Sequence, residues 1–126
     1  MKNPYPGRIP RVLCVLTTLP DAGAARRLAA AILDSGTAAC ATLCPGWESH
    51  YVWKNKRQKA REVGLLCKTT AQARKDLFGV IRQHHPYEVP EILAWVLSAV
   101  DPDYARWVGK QVGKGNRLSV QKLKSN

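Results

Sequence analysis

Two prolines just past the end of an amphipathic pattern constrain this chain more than anything else in it. The stretch Gln83-His84-His85-Pro86-Tyr87-Glu88-Val89-Pro90-Glu91-Ile92 holds two imidazoles, a phenol and two carboxylates in ten residues. Pro86 cannot continue a helix and biases His85 away from the α region, so a helix arriving here stops at His84 or His85. Pro90 keeps the next residues extended, and the apolar run Ile92–Leu97 reads as a strand spanning 91–98. The segment is therefore a tight helix-to-strand connection filled with metal-capable and hydrogen-bonding groups.

Upstream, residues 11–18 form a continuous apolar run of strand length, which suits a central strand buried on both faces. Asp21 is placed to cap a helix whose stripe is Ala25, Leu28, Ala29, Ile32 and Leu33, with Gly36 as a left-handed stop. Residues 37–44 are small and partly β-branched and read as a strand. Pro45-Gly46 marks a bend or bulge, and extended chain resumes over Trp47–Trp53. Lys54–Arg61 carries five positive charges and no negative one and reads as an exposed hairpin connection, followed by a strand over Glu62–Thr69. Thr70 is the expected cap of a second helix with Ala73, Leu77, Val80, Ile81 and His84 on its apolar stripe. Asp101-Pro102 opens a third, short helix carrying Tyr104, Trp107, Val108 and Val112.

The order β-α-β-β-α-β-α predicts an α+β, ferredoxin-like sandwich with both main helices on one face of an antiparallel sheet, an extended hairpin and a C-terminal helix. The expected division is a tail over 1–10, one domain over 11–112 and a basic tail over 113–126. At 126 residues there is room for one core. The long hairpin should protrude, so that a partner subunit is needed to cover its apolar residues.

Composition narrows function by exclusion. No apolar run approaches the ~20 residues of a membrane span, and residues 1–7 lack the apolar centre of a secretory signal, so no membrane partner and a cytoplasmic location are expected. Cys14, Cys40, Cys44 and Cys67 form no Cys-x-x-Cys pair and read as small buried hydrophobes. No nucleophile elbow, His-Glu-x-x-His or phosphate loop is present, which argues against an enzyme. The net charge of +11 attracts nucleic acid or other anions. The RNA-recognition signature of aromatics on a strand is missing, so the basic run reads first as a solvated loop. The imidazoles and carboxylates around Pro86 suit copper, zinc or nickel. His84 and His85 point about a hundred degrees apart on a regular helix, so they reach one ion only where the helix ends between them.

Three blocks then amount to a family resemblance. They are Ala38-Ala39-Cys40 through Pro45-Gly46 to Tyr51-x-Trp53; Leu65-Leu66-Cys67-Lys68-Thr69; and His85-Pro86-Tyr87-Glu88-Val89-Pro90-Glu91-Ile92, with Thr18-x-Pro20 before them and Tyr104 and Trp107 after. Over residues 11–112 the chain resembles the CutA divalent-cation tolerance family. The resemblance implies a homotrimer similar in architecture to the PII signalling proteins, held by edge pairing of long strands. It also implies a link to copper and other divalent metals, with no organic cofactor. Carried over from proposed copper ligands, the metal site is His84 and His85, and Glu91, a candidate oxygen donor nearby, stands in for the missing cysteine. Trp53, Lys68, Tyr87 and Glu88 complete an inter-subunit cleft, with Lys68 pairing anions. Three departures stand out: Thr17 occupies the position of the family's ligand cysteine, the hairpin is basic where it is commonly acidic, and Gly64 replaces a larger apolar residue. A competing reading makes the histidine turn purely structural. The alternative function is a trimeric regulatory module that binds a small anionic ligand or nucleic acid through the basic surface.

Overall fold

A computed structural model describes residues 5–113. The order is β1 (Val12–Leu19), α1 (Ala22–Ser35), β2 (Cys40–Trp53), β3 (Lys56–Thr70), α2 (Arg74–His84), β4 (Ile92–Val96) and α3 (Pro102–Gln111). The strands make one antiparallel sheet in the order β2-β3-β1-β4. This is the ferredoxin-like plan expected from the sequence. The tail expected at 113–126 lies, beyond Gly113, outside the described residues.

β1 is central, and its burial follows from hydrogen-bonded neighbours on both edges and packing on both faces. Val15 and Leu19 point into a core with Leu65, Cys67, Ala25, Leu28, Ile32, Leu77 and Ile81 beneath α1 and α2. Val12, on the other face, packs with Ala105 and Val108 of α3. Asp21 caps α1 by accepting from Ala24 N at 2.8 Å, and Gly36 closes it in the left-handed conformation. Leu33 leaves the expected stripe: it is 42% exposed, and Ala24 is buried instead. Asp101 caps α3 as expected, accepting from Tyr104 N.

Four expectations are corrected. The basic run is strand rather than connection. The hairpin turns on Lys54 and Asn55 alone, both at positive φ (51° and 65°), and Lys56–Arg61 pairs in register with Trp53–Glu48. A two-residue turn of this hand matches the strands' twist, so the pairing continues up to it. Thr70 does not cap α2; it ends β3, and its hydroxyl accepts from Ala73 N at 3.4 Å in the turn that precedes the helix. His84 is exposed at the last position of α2 rather than part of its apolar stripe. The last strand is shorter than 91–98 because only Ile92–Val96 pairs with β1.

The expected break at Pro45-Gly46 is a β-bulge within one continuous strand, with the register shifting between Cys44 and Trp47. It turns the Trp47 ring onto Gly64 of β3. A Cβ on Gly64 would stand 2.6 Å from the Trp47 ring. Gly64 is thus the floor under an indole, and a larger residue there has no room. Gly64→Ala should lower stability by about 1–3 kcal/mol. In a Trp47→Ala background the same change should be neutral or stabilising, read as a double-mutant cycle of urea midpoints.

Candidate functional site

Pro86 stops α2 as the sequence requires, and His85 leaves the helix in an extended conformation (φ −79°, ψ 137°). That swing carries its ring inward, away from exposed His84. His85 Nε2 lies 2.9 Å from the carbonyl oxygen of Thr18 and 3.0 Å from Thr17 Oγ1. Its Nδ1 accepts from the backbone N–H of Tyr87 at 3.1 Å. A carbonyl only accepts and a backbone N–H only donates, so the imidazole is the neutral Nε2–H tautomer. Neither nitrogen has a lone pair left for a metal. Burial lowers the His85 pKa, opposed by the hydrogen bond to Thr18 and the charge of Glu62.

Tyr87, placed by that amide contact, tilts against the His85 ring at 4.9 Å between centroids. Its hydroxyl donates to Glu62 Oε2 at 2.8 Å. Glu62 is only 8% exposed, and burial together with this carboxylate holds the phenol proton well above its ordinary range. Beyond this floor opens a cleft of about 650 Å³. One wall is the ribbon of β2 and β3, through Ser49, His50, Tyr51, Trp53 and Glu62; the other is the connection from Pro86 to Glu91. Thr18 lies between them. The lining holds three carboxylates, Glu62, Glu88 and Glu91, and neither lysine nor arginine.

The structure brings Trp53, Tyr87, Glu88 and Glu91 to this cleft. It does not bring Lys68 or His84. Lys68 lies in β3 directly between Cys14 of β1 and Cys40 of β2, on the sheet face opposite α1 and α2. His85 stands behind Tyr87, outside the lining. Among the described residues no three His, Cys, Asp or Glu side chains are grouped to hold a metal ion, so neither His84, His85 and Glu91 nor the cleft's Glu62, Glu88 and Glu91 converge on one point within a protomer. Thr17 uses its hydroxyl on His85, where the resemblance places a ligand cysteine, and Cys14 sits on the opposite face of β1. The four cysteines are free, and burial pushes the Cys67 thiol up to about 12, where it is a poor nucleophile.

Sequence reasoning missed Glu62, Tyr51 and Thr18 as lining residues. The available signal was Glu62 itself, the one carboxylate between Lys54 and Lys68. Its partner Tyr87 lies 25 residues away in the connection after α2, and only the tertiary structure shows that they meet.

Protonating His85 would place an N–H against the Tyr87 N–H. Its folded-state pKa is depressed, so its contribution to stability is complete above the unfolded value of about 6.5 and is lost as pH falls through the lower folded value. The urea midpoint should therefore fall from pH 7.5 to 5.0, at fixed protomer concentration, by more in the wild type than in His85→Asn. His85→Ala should cost about 1–3 kcal/mol at pH 7.5, because it orphans the Thr18 carbonyl and the Tyr87 amide.

The comparisons with known proteins agree with this architecture. The family described as CutA1 divalent ion tolerance protein matches residues 13–111. A divalent-cation tolerance protein CutA from Salmonella newport (strain SL254) is 41% identical over 100 residues, covering 79% of this chain and 87% of that protein. The crystal structure of CutA from Xylella fastidiosa superposes with a TM-score of 0.79 at 30% identity, covering 81% of this chain and 98% of the other. The divalent cation tolerance protein from Thermus thermophilus gives 0.78 at 34%, covering 81% and 99%. The fold, the register that builds the cleft and the match across almost the whole described chain place this protein in the CutA1 divalent ion tolerance family.

Proposed function

We propose that this chain is a non-enzymatic, cytoplasmic, homotrimeric module of divalent-cation tolerance whose cation contact is the carboxylate cleft rather than the histidine turn. The observation that carries the reading is the lining: three glutamates and neither lysine nor arginine, in a protein of net charge +11. Glu88 and Glu91 are the oxygen donors, with water or the neighbouring copy completing the shell, and Glu62 is tied to Tyr87 on the opposite wall. Oxygen donors suit hard divalent cations better than copper. Copper at His84 and His85 would require His85 to abandon the Thr18 carbonyl and the Tyr87 amide. The same carboxylates disfavour a small anionic ligand in this cleft.

Support for the trimer comes from the edges of the sheet. The large exposed apolar side chains include Tyr51, Val52 (70%) and Trp53 on edge strand β2, and Leu93, Trp95 (44%) and Val96 on edge strand β4. Two different apolar edges on one protomer suit head-to-tail pairing that closes into a ring, and closure leaves no free edge. The cleft then lies beside the neighbouring copy. Four free thiols suit a reducing compartment. No helix among the described residues is long and apolar enough to cross a membrane.

The mass in solution should be three times the chain mass, and Trp95→Glu should shift it toward the monomer. Calorimetric titration with manganese(II) and copper(II) in a non-chelating buffer tests the cleft. Glu88→Gln/Glu91→Gln should weaken manganese binding by more than the roughly 10–100-fold that losing an outer-shell partner costs, with the trimer intact. His84→Ala/His85→Asn should leave it within a few-fold. Loss of copper binding in the histidine variant alone would return the site to the imidazoles.

A further inference from the structure

The cleft is larger and more apolar than a metal ion requires. Its volume is about 650 Å³, whereas a water molecule in the liquid occupies about 30 Å³. Tyr51 and Trp53 on the ribbon, and Pro86, Tyr87 and Val89 on the connection, line it with rings and alkyl groups. A hydrated divalent cation finds no partner in such surface, whereas an alkyl chain does. Pairing of β2 with a neighbouring copy runs along its backbone edge. Tyr51 and Trp53 stand on the face turned to the cleft, so the copy borders this space.

The carboxylates are spaced for something longer than an ion. Glu62 stands on the ribbon wall, and Glu88 and Glu91 stand on the connection opposite. They do not gather into a group of three that would hold a metal ion. Glu62 is 8% exposed, and one of its oxygens, Oε2, accepts from the Tyr87 hydroxyl. No hydrogen bond from the described residues reaches Oε1, and Oε1 is not sealed in the core, so it opens on the cleft that Glu62 lines. A carboxylate this far out of water calls for a cation that brings N–H donors. Trp53 already meets such a group: the Lys54 ammonium lies over its ring, 5.8 Å from the centroid.

We propose that the cleft binds a linear aliphatic polyamine, with one ammonium on Glu62, another on Glu88 and Glu91, and the methylene chain along Tyr51, Trp53 and Tyr87. Three features select this class. Charges separated by methylenes match carboxylates on opposite walls. The chain covers apolar wall that a metal ion leaves wet. A primary ammonium carries three donors, so it can satisfy the open oxygen of Glu62 and still lie against an aromatic ring. The inference rests on the glutamate lining as the cation contact, and not on which cation is held there.

The test is calorimetric titration of the full chain with spermidine at about 150 mM salt, where unspecific attraction is screened. Circular dichroism and oligomer mass are matched first for every variant. Spermidine should bind once per chain, and n-butylamine, with a single charge, about tenfold or more weaker. Glu62→Gln keeps an acceptor for the Tyr87 hydroxyl and should weaken spermidine about 10- to 100-fold. Trp53→Leu should weaken it about 2- to 30-fold. The same variant should leave manganese(II) within a few-fold, because an indole offers a metal no donor atom. Asp76→Asn, an equal charge change on α2 away from the cleft, should leave spermidine unchanged. Equal weakening by Asp76→Asn and Glu62→Gln would reduce the binding to net charge and overturn the proposal. Failure of spermidine to bind would overturn it as well, and would mean that the neighbouring copy fills the cleft. Manganese without spermidine would leave the divalent reading standing alone; spermidine without manganese would do the reverse.

Discussion

One imidazole ties together the parts on which the cleft depends. His85 ends α2, bonds the end of β1 through Thr18 and Thr17, and sets Tyr87 through its amide. Tyr87 then reaches across to Glu62 of β3. One residue therefore links the helix end, two strands and the floor of the cleft, and it does so in a single protonation state. Each contact uses one particular nitrogen in one particular role. The ring is a structural bracket, and the same saturation that makes it a good bracket makes it a poor metal ligand. Thr17 belongs to this arrangement, because its hydroxyl serves the imidazole where a thiolate would compete for a cation.

The ribbon beyond the helices has two chemistries because a strand has two faces. Its inner face carries aromatic rings and one buried carboxylate, and its outer face carries Arg57, Lys59 and Arg61 with Glu48 opposite Arg61. Averaged over the chain, the net positive charge would repel a cation. Locally, the cleft is lined by glutamates, and at distances within a Debye length of ~8–10 Å the local groups outweigh the average. A basic protein can thus carry a glutamate-lined cleft once the charges are placed.

The bulge at Cys44 and Trp47 shows how a local irregularity is matched elsewhere. The shift in β2 turns an indole onto β3, and β3 answers with a residue that has no side chain. Read alone, Gly64 looks like weakened packing. In the fold it permits a large aromatic contact within a strand that continues into the exposed ribbon.

Much of the architecture was legible in the chain because it rests on short-range rules. Asp21, Gly36, Pro86 and Asp101 mark helix ends by local sterics and capping, and the apolar run of β1 requires burial on both faces. The errors fell where pairing decides. Lys56–Arg61 looks like a loop by composition, but cross-strand hydrogen bonds to β2 keep it extended up to a two-residue turn. Thr70 looks like a cap, but β1 claims it as the last pair of β3. The sequence placed Trp53, Tyr87, Glu88 and Glu91 in one neighbourhood by motif. Only tertiary structure removed Lys68 and His84 from it, turned both nitrogens of His85 inward and added Glu62. The physical reason is that helix ends are set within four residues, whereas which face a strand residue shows, and to whom, is set by register with partners far along the chain.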